Sequence, residues 1–66
     1  MKKWIPKQGE IFWYFNEYLV PRFEIWDGNM ASHIRLLNIG NCFRTKKQCC
    51  EAIRKIKKIL KEGREI

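Results

Sequence analysis

Hydrophobic residues follow a strand-like alternation over the first third of the chain. In the segment EIFWYFN, Ile11, Trp13 and Phe15 fall on one face of an extended backbone, and aromatic residues fill the other face. This pattern predicts a strand at about 10–16 that is covered on both faces.

The segment YLVPRFEIW continues the alternation. Leu19, Phe23 and Ile25 share one face, which predicts a second strand at about 19–26. Pro21 has no N–H to donate to a β-ladder, so we expect this strand at a sheet edge or at a bulge.

A third strand is predicted at about 33–39, in the segment HIRLLNIG. Asp27 and Gly28 give a turn signal before it, and Gly40 and Asn41 end it. Together the three strands predict an antiparallel β-meander.

The clearest pattern is helical and follows the meander. Thr45 is a favourable N-cap residue, and Gln48 three positions later completes a capping box. The apolar residues beyond it are spaced by four, three and four positions, and they are Cys49, Ile53, Ile56 and Leu60. A helix is therefore predicted at about 46–62, with Gly63 closing its C-terminus.

These elements predict a single α+β domain over residues 1–66, a three-stranded antiparallel β-meander followed by one long C-terminal α-helix. A helix of that length measures roughly 25 Å, which is more than a small sheet can cover. A homodimer is expected, because a second copy would cover the apolar stripe that extends past the sheet.

Charge is concentrated in the predicted helix. Residues 44–66 carry nine Lys and Arg against three Glu, a net of +6 out of the total of +7. A field of that sign attracts nucleotides, nucleic acid or an acidic protein surface. A solvated, lysine-rich helix face without a partner is the alternative.

Cysteine usage and hydropathy indicate a soluble cytoplasmic protein. Three cysteines are an odd number, and Cys49 and Cys50 are adjacent, so a secreted disulfide scaffold is not expected. The longest apolar stretch is far shorter than the roughly 20 residues of a membrane span. No apolar signal core follows the N-terminal MKKWIPKQGE.

The segment GNCFRT before the helix is a candidate anion site. Gly40 allows close approach of the backbone, Asn41 offers a donor and an acceptor, and Arg44 precedes a helix N-terminus. These features suit phosphate. The same residues also make an ordinary strand-to-helix turn.

Aromatic residues extend this candidate site to a base-stacking cleft. An exposed aromatic ring binds a nucleotide base by stacking, and a core of this size is not expected to hold all of Trp4, Trp13, Tyr14, Trp26 and Phe43. The expected ligand-binding rings among them are Trp13, Trp26 and Phe43. The arginines expected to pair with phosphates are Arg22, Arg35 and Arg44. The alternative is that the aromatic rings form the core of a small domain.

Catalysis, cofactors and metal binding are not expected. His33 is the only histidine, and the sequence contains no nucleophile–base set, Walker loop or dinucleotide fingerprint. Glu10 and Glu24 could meet across a hairpin, where carboxylates usually pair with arginine. A zinc site on His33 and the three cysteines would require adjacent helical cysteines to converge on one ion.

Three stretches resemble a family of small phage and prophage proteins: WIPKQGEIFWY near the start, a central IWDG, and GNCFRTK leading into the helix. The family pattern is Trp-x-Pro-x-x-Gly-Glu-x-Tyr/Phe-Trp-Tyr, then Gly-Asn-x-Phe-x-Thr before an acid- and alanine-rich helix. The matching positions are Trp4, Pro6, Gly9, Glu10, Trp13, Tyr14, Gly40, Asn41, Phe43 and Thr45. The chain departs from the pattern at the start of the helix with Lys46, Lys47, Cys49 and Cys50.

The resemblance implies a phage protein that acts in the cytoplasm of an infected bacterial host. Proteins similar in style sequester the nucleotide signals of bacterial immune systems such as Thoeris or CBASS. The expected function is therefore non-enzymatic capture of an ADP-ribose-type or cyclic nucleotide signal. Binding of nucleic acid, or inhibition of a nuclease, is the alternative, because analogy of fold does not choose between these functions.

Overall fold

Two strands and two helices form along residues 4–64, the part of the chain that the computed structural model describes. The elements are β1 (Ile11–Phe15), β2 (Pro21–Ile25), α1 (Ala31–Asn38) and α2 (Lys46–Arg64). β1 and β2 make a two-stranded antiparallel sheet. The α+β class and the long final helix are confirmed, whereas the predicted three-stranded meander is wrong.

β1 and β2 form a hairpin in which Trp13 lies opposite Phe23. Asn16 organises the connecting loop, because its side-chain oxygen accepts hydrogen bonds from the backbone N–H groups of Tyr18 (2.9 Å) and Val20 (3.0 Å). This short polar side chain supplies the acceptor that the loop backbone lacks, as Asn does in many turns.

A β-bulge extends the open end of the hairpin. The N–H of Gly9 donates to the Trp26 carbonyl (3.1 Å), and the N–H of Trp26 donates to the Glu10 carbonyl (2.8 Å). Gly9 has a φ of 84°, a conformation that favours glycine and that this kind of bulge requires. The bulge continues the ladder to Trp26, which is buried.

The two faces of the hairpin differ in burial. Phe12, on the face of the even-numbered residues, is 0% exposed, whereas Phe23 and Ile25 on the odd-numbered face are 58% and 63% exposed. α2 contacts both strands and carries the buried apolar residues Cys49 and Ile53. The core therefore lies on the even face. In β1 the predicted cover on both faces is partly present, because Trp13 and Phe15 on the odd face are half-buried whereas Ile11 is exposed.

α1 occupies the segment in which a third strand was predicted at 33–39. The less exposed residues of this segment are His33, Leu36 and Leu37, whose spacing of i, i+3 and i+4 is helical. A short apolar run fits both the strand and the helix period, so alternation alone does not separate them.

Gly40 and Asn41 end a helix rather than a strand. The N–H of Gly40 donates to the Leu37 carbonyl (3.1 Å), and the N–H of Asn41 donates to the Leu36 carbonyl (2.8 Å). These are the two bonds of a Schellman motif, and Gly40 takes the left-handed position with a φ of 84°. The C-terminal turn of α1 therefore accounts for a glycine at position 40.

The outer edge of β1 is closed without a third strand. Trp13 and Phe43 exchange both backbone hydrogen bonds at 2.8 Å in an isolated antiparallel bridge. Two residues further along β1, Asn41 Nδ2 donates to the Phe15 carbonyl (2.8 Å) and Asn41 Oδ1 accepts from the Phe15 N–H (3.0 Å). The two pairs keep one antiparallel register, so a buried side-chain amide takes the place of strand backbone.

α2 begins at Lys46, as predicted, with Thr45 as its N-cap. Thr45 Oγ1 accepts from the N–H of Gln48 (3.2 Å). The Gln48 side chain accepts from the N–H of Arg44 (3.2 Å), one residue before the position that a capping box uses. The predicted end is wrong, because α2 continues past Gly63, whose φ is not left-handed.

The second half of α2 extends beyond the sheet. Ile59 and Leu60 are 65% and 55% exposed, whereas Cys49 and Ile53 are buried. The overhanging apolar stripe expected from the sequence is therefore present. Within residues 4–64, no helix has the length and apolar character needed to cross a bilayer.

Replacing Asn41 tests whether its amide is a structural clamp. Asn41→Ala leaves the N–H and C=O of Phe15 without their partners in a partly buried position, so we expect a loss of about 2 kcal/mol in unfolding free energy. Asn41→Asp also destabilises, because a carboxylate cannot donate to the Phe15 carbonyl. Urea denaturation measures both changes.

Thr45→Ala is the control for a lost helix cap and is expected to cost about 1 kcal/mol. An Asn41→Ala protein within about 0.5 kcal/mol of the wild type would show that the Phe15 bonds contribute no net stability.

Candidate functional site

A cleft opens between the start of β2 and the first turn of α2. Its volume is about 460 Å³. Its lining residues are Trp13, Val20, Pro21, Arg22, Phe23 and Lys46. Small-molecule sites generally fall between roughly 300 and 1,000 Å³, so the cleft has room for a ligand of nucleotide size.

Two aromatic rings and an ammonium group meet at this cleft. The ring centroids of Trp13 and Phe23 are 5.3 Å apart with their planes inclined at 48°. Lys46 Nζ lies 5.8 Å from the centroid of the Trp13 ring, within the range of a cation–π contact. The cleft therefore combines an apolar aromatic wall with a positive charge.

The position of Lys46 follows from the edge of β1. The bridge to Trp13 fixes Phe43, three residues before Lys46 in the chain. Thr45 then caps α2, and the first helical residue projects over Trp13. The backbone bridge and the helix cap thus place Lys46 next to the ring of Trp13.

Among the aromatic residues predicted to stack on a base, Trp13 lines the cleft. Phe43 is half-buried, pairs with Trp13 through the backbone, and packs 6.3 Å from Phe15. Trp26 is buried in the core, where its ring stacks on His33 at 5.8 Å with an interplanar angle of 26°. Trp26 therefore presents no open ring face to a ligand.

The predicted polar residues are not brought together. Asn41 is buried and bonded to the backbone of Phe15. Arg35 is exposed in the last turn of α1, and Arg44 is exposed just before the N-cap of α2. Of the arginines expected to pair with phosphate, Arg22 lines the cleft.

The position of Lys46 over the Trp13 ring is not predicted by the sequence pattern. The residue stands at the start of a run of basic residues and reads as part of a solvated helix face. Its proximity to Trp13 depends on the pairing of Trp13 with Phe43, which brings together positions thirty residues apart.

A second polar cluster lies on the covered face of the sheet. His33 Nδ1 accepts from the N–H of Asp27 (3.0 Å), so the neutral ring carries its proton on Nε2 and donates to Glu24 Oε1 (2.9 Å). The other Glu24 oxygen accepts from the Tyr14 hydroxyl (2.7 Å). Both ring nitrogens of His33 are occupied, and the cluster joins α1 to the two strands.

These hydrogen bonds shift the acidities of the cluster in opposite directions. Donation by His33, and then by Tyr14, holds the pKa of Glu24 below its ordinary value of 4.5. The bond to the Glu24 carboxylate raises the pKa of Tyr14, because ionising the phenol would remove its donated hydrogen. Glu24 is therefore ionised in the folded protein at neutral pH.

Cysteine and carboxylate side chains form no evident metal centre in the described part of the chain. Over residues 4–64, no three His, Cys, Asp or Glu side chains are grouped so that they could hold an ion. Cys49 is buried on α2, and this burial raises the pKa of its thiol.

The lowered pKa of Glu24 predicts a dependence of stability on pH. An acid whose pKa falls on folding adds stability above its unfolded value, and this stability is lost as the pH drops through the folded value. Glu24→Gln should therefore lower the urea midpoint at pH 6–8, and its difference from the wild type should shrink below about pH 4.5.

Glu17→Gln, in the exposed hairpin loop, is the matched control and should follow the wild type across this range. An unchanged difference between Glu24→Gln and the wild type from pH 7 to pH 3 would contradict the assigned role of Glu24.

No protein-family model, curated protein or solved structure matches the chain.

Proposed function

We propose that this protein is a non-enzymatic phage counter-defence protein that binds and sequesters an anionic nucleotide immune signal in the cleft between β2 and α2. The observation that carries the proposal is the approach of Lys46 to the Trp13 ring at the wall of a 460 Å³ cleft. An aromatic surface beside a cation suits a ligand with both a base and a phosphate.

The aromatic wall supplies the contact for the base. Trp13 is half-buried and Phe23 is exposed, so both rings keep accessible surface. Stacking of a base on an aromatic ring contributes about 1 to 3 kcal/mol and tolerates different bases. This contact fits an adenine, as in an ADP-ribose-type signal, or the base of a cyclic nucleotide.

The start of α2 supplies the contact for phosphate. Lys46 is the first residue of a 19-residue helix whose first turn contains no acidic residue. The positive end of the helix dipole and the lysine charge act in the same direction on an anion. The anion position in this proposal is at Lys46 and Arg22, because the amide of Asn41 is bonded to Phe15.

Sequestration of a signal requires binding without chemistry, and the motif resemblance to small phage proteins supports that role. A homodimer remains part of the proposal. Two separate exposed apolar surfaces are available to a second copy, one at the end of α2, where Leu60 lies, and one on β2, where Phe23 and Ile25 lie.

Calorimetric titration with ADP-ribose and with cyclic dinucleotides tests the cleft. Lys46→Ala and Trp13→Leu should each weaken binding about tenfold or more, since each removes a contact worth roughly 1.4 kcal/mol or more. Lys47→Ala is the matched control, because Lys47 is exposed, adjacent in sequence and not part of the cleft lining.

Arg35→Ala and Arg44→Ala test the residues predicted from the sequence, and both should bind within about twofold of the wild type. Equal affinity of Lys46→Ala, Lys47→Ala and the wild type would exclude the cleft. As a separate measurement, native mass spectrometry of protein purified from cells with an active nucleotide-signalling defence should detect a co-purified nucleotide.

Nucleic-acid binding or nuclease inhibition is the second candidate, and the exposed basic surface of α2 favours it. The exposed cations of the helix are Lys46, Lys47, Arg54, Lys55, Lys57, Lys58 and Lys61. This positive surface would bind the phosphates of a nucleic-acid strand, or the acidic groups of a nuclease that binds such a strand.

Salt dependence separates the two candidates. Binding of a polymer along α2 should weaken by about 10³-fold or more between 50 and 200 mM salt, and Lys55→Ala and Lys58→Ala should lower the slope similarly. Binding of a nucleotide in the cleft should respond far less. A mobility-shift series with random DNA, run beside the calorimetry, shows which behaviour the protein has.

A further inference from the structure

β2 has an open edge. Its inner edge pairs with β1 through the even-numbered residues, as the bond from the Asn16 N–H to the Val20 carbonyl (3.1 Å) establishes. The backbone groups of Phe23 and Ile25 therefore point away from β1. Within residues 4–64, no other segment pairs with this edge, and four of the five β2 residues are exposed.

The side chains beside this edge combine exposed apolar groups with opposite charges. Phe23 and Ile25 expose apolar surface on the odd face, while Arg22 and Glu24 carry opposite charges on the even face. Exposed edges of soluble proteins are generally blunted by charges, proline or a covering segment, and Pro21 blocks only the first position. Such a strand is suited to adding another strand.

We propose that β2 pairs antiparallel with β2 of a second copy of this chain, about a two-fold axis that passes between the two Phe23 residues. The two hairpins then form one continuous four-stranded sheet. The occupant of the edge is a second copy because the charges of β2 are self-complementary in this arrangement and in neither neighbouring register.

The charges select the register. With Phe23 opposite Phe23, each Arg22 lies directly opposite a Glu24 of the other copy, at cross-strand distance. A shift of two residues in one direction places Arg22 opposite Arg22, and a shift in the other direction places Glu24 opposite Glu24. A shift of one residue would turn the apolar face of one hairpin to the opposite side.

The backbone accepts the same register. The two Phe23 residues exchange both of their outward N–H···O bonds, and each Ile25 N–H meets a Pro21 carbonyl of the other copy. Proline lacks a donor, so the Ile25 carbonyl at each end of the seam gains no partner from the other copy and stays open to solvent. The side chain of Glu24 is 45% exposed despite its bonds to His33 and Tyr14, so it remains accessible to an arginine.

Pairing also joins two apolar surfaces and extends the cleft. Pro21 lines the cleft on the odd face, and Ile25 of the second copy would stand beside it. The exposed odd faces of the two hairpins would form one aromatic and aliphatic surface that neither copy has alone. This inference does not depend on which ligand the cleft binds.

Sedimentation velocity over about 5 µM to 1 mM tests the interface. The wild type should show a monomer–dimer equilibrium. Phe23→Lys puts two lysines at the axis and should weaken association at least tenfold, and Arg22→Glu should do the same by facing Glu24 with a like charge. Thermal melts establish that both variants are folded, as the exposure of these side chains predicts.

Ile59→Lys and Leu60→Lys, at the exposed end of α2, are the matched controls and should leave the dimer intact. Amide hydrogen exchange at Phe23 and Ile25 should slow as the concentration rises, while exchange at Lys47 should not. A wild type that is monomeric at 1 mM overturns the proposal. A dimer that is lost in Leu60→Lys and kept in Phe23→Lys and Arg22→Glu also overturns it.

Discussion

The closure of the outer edge of β1 is the interaction on which the rest of the structure depends. Phe43 supplies one backbone bridge to Trp13, and the side-chain amide of Asn41 supplies the next pair of bonds to Phe15. These bonds satisfy the outward backbone groups of Trp13 and Phe15 on the side of β1 away from β2. They also fix the end of α1 and the beginning of α2 relative to the hairpin, and hence the position of Lys46 over Trp13.

A chain of 66 residues can bury only a small core, and here it covers one face of a hairpin. Phe12 is enclosed by Trp26 and by His33, whose ring centroids lie 5.5 and 5.0 Å away. The buried histidine is accommodated because both of its nitrogens have partners. On the opposite face, Phe23 and Ile25 keep apolar surface in solvent, next to the proposed dimer seam, and Phe23 also lines the proposed ligand cleft.

Local patterns predicted the elements that depend on neighbouring residues. The hairpin was expected at 10–16 and 19–26 and forms within these limits, and α2 starts at the residue that Thr45 predicts. Gly63 did not end α2, because a glycine near a helix terminus permits a left-handed turn without enforcing one.

Features that depend on distant pairs were not predicted. The segment at 33–39 is predicted as a strand, whereas it forms a helix in which His33 bonds Glu24 and the backbone of Asp27. Asn41 is predicted in a phosphate site because its amide can both donate and accept a hydrogen bond. In the structure the amide forms both bonds with the backbone of Phe15. The sequence thus indicates the hydrogen-bonding capacity of the Asn41 side chain, whereas the group that it bonds follows only from the fold.

A nuclear magnetic resonance titration with ADP-ribose and with cyclic dinucleotides tests the central claim most directly. Backbone and indole signals report each residue separately, so the method locates binding as well as detecting it. The account predicts saturable shifts at Trp13, Phe23 and Lys46, with the signals of Arg35 and of the second half of α2 unchanged. Shifts spread along Arg54 to Lys61, or no shift at Trp13 with any of these nucleotides at millimolar concentration, would contradict it.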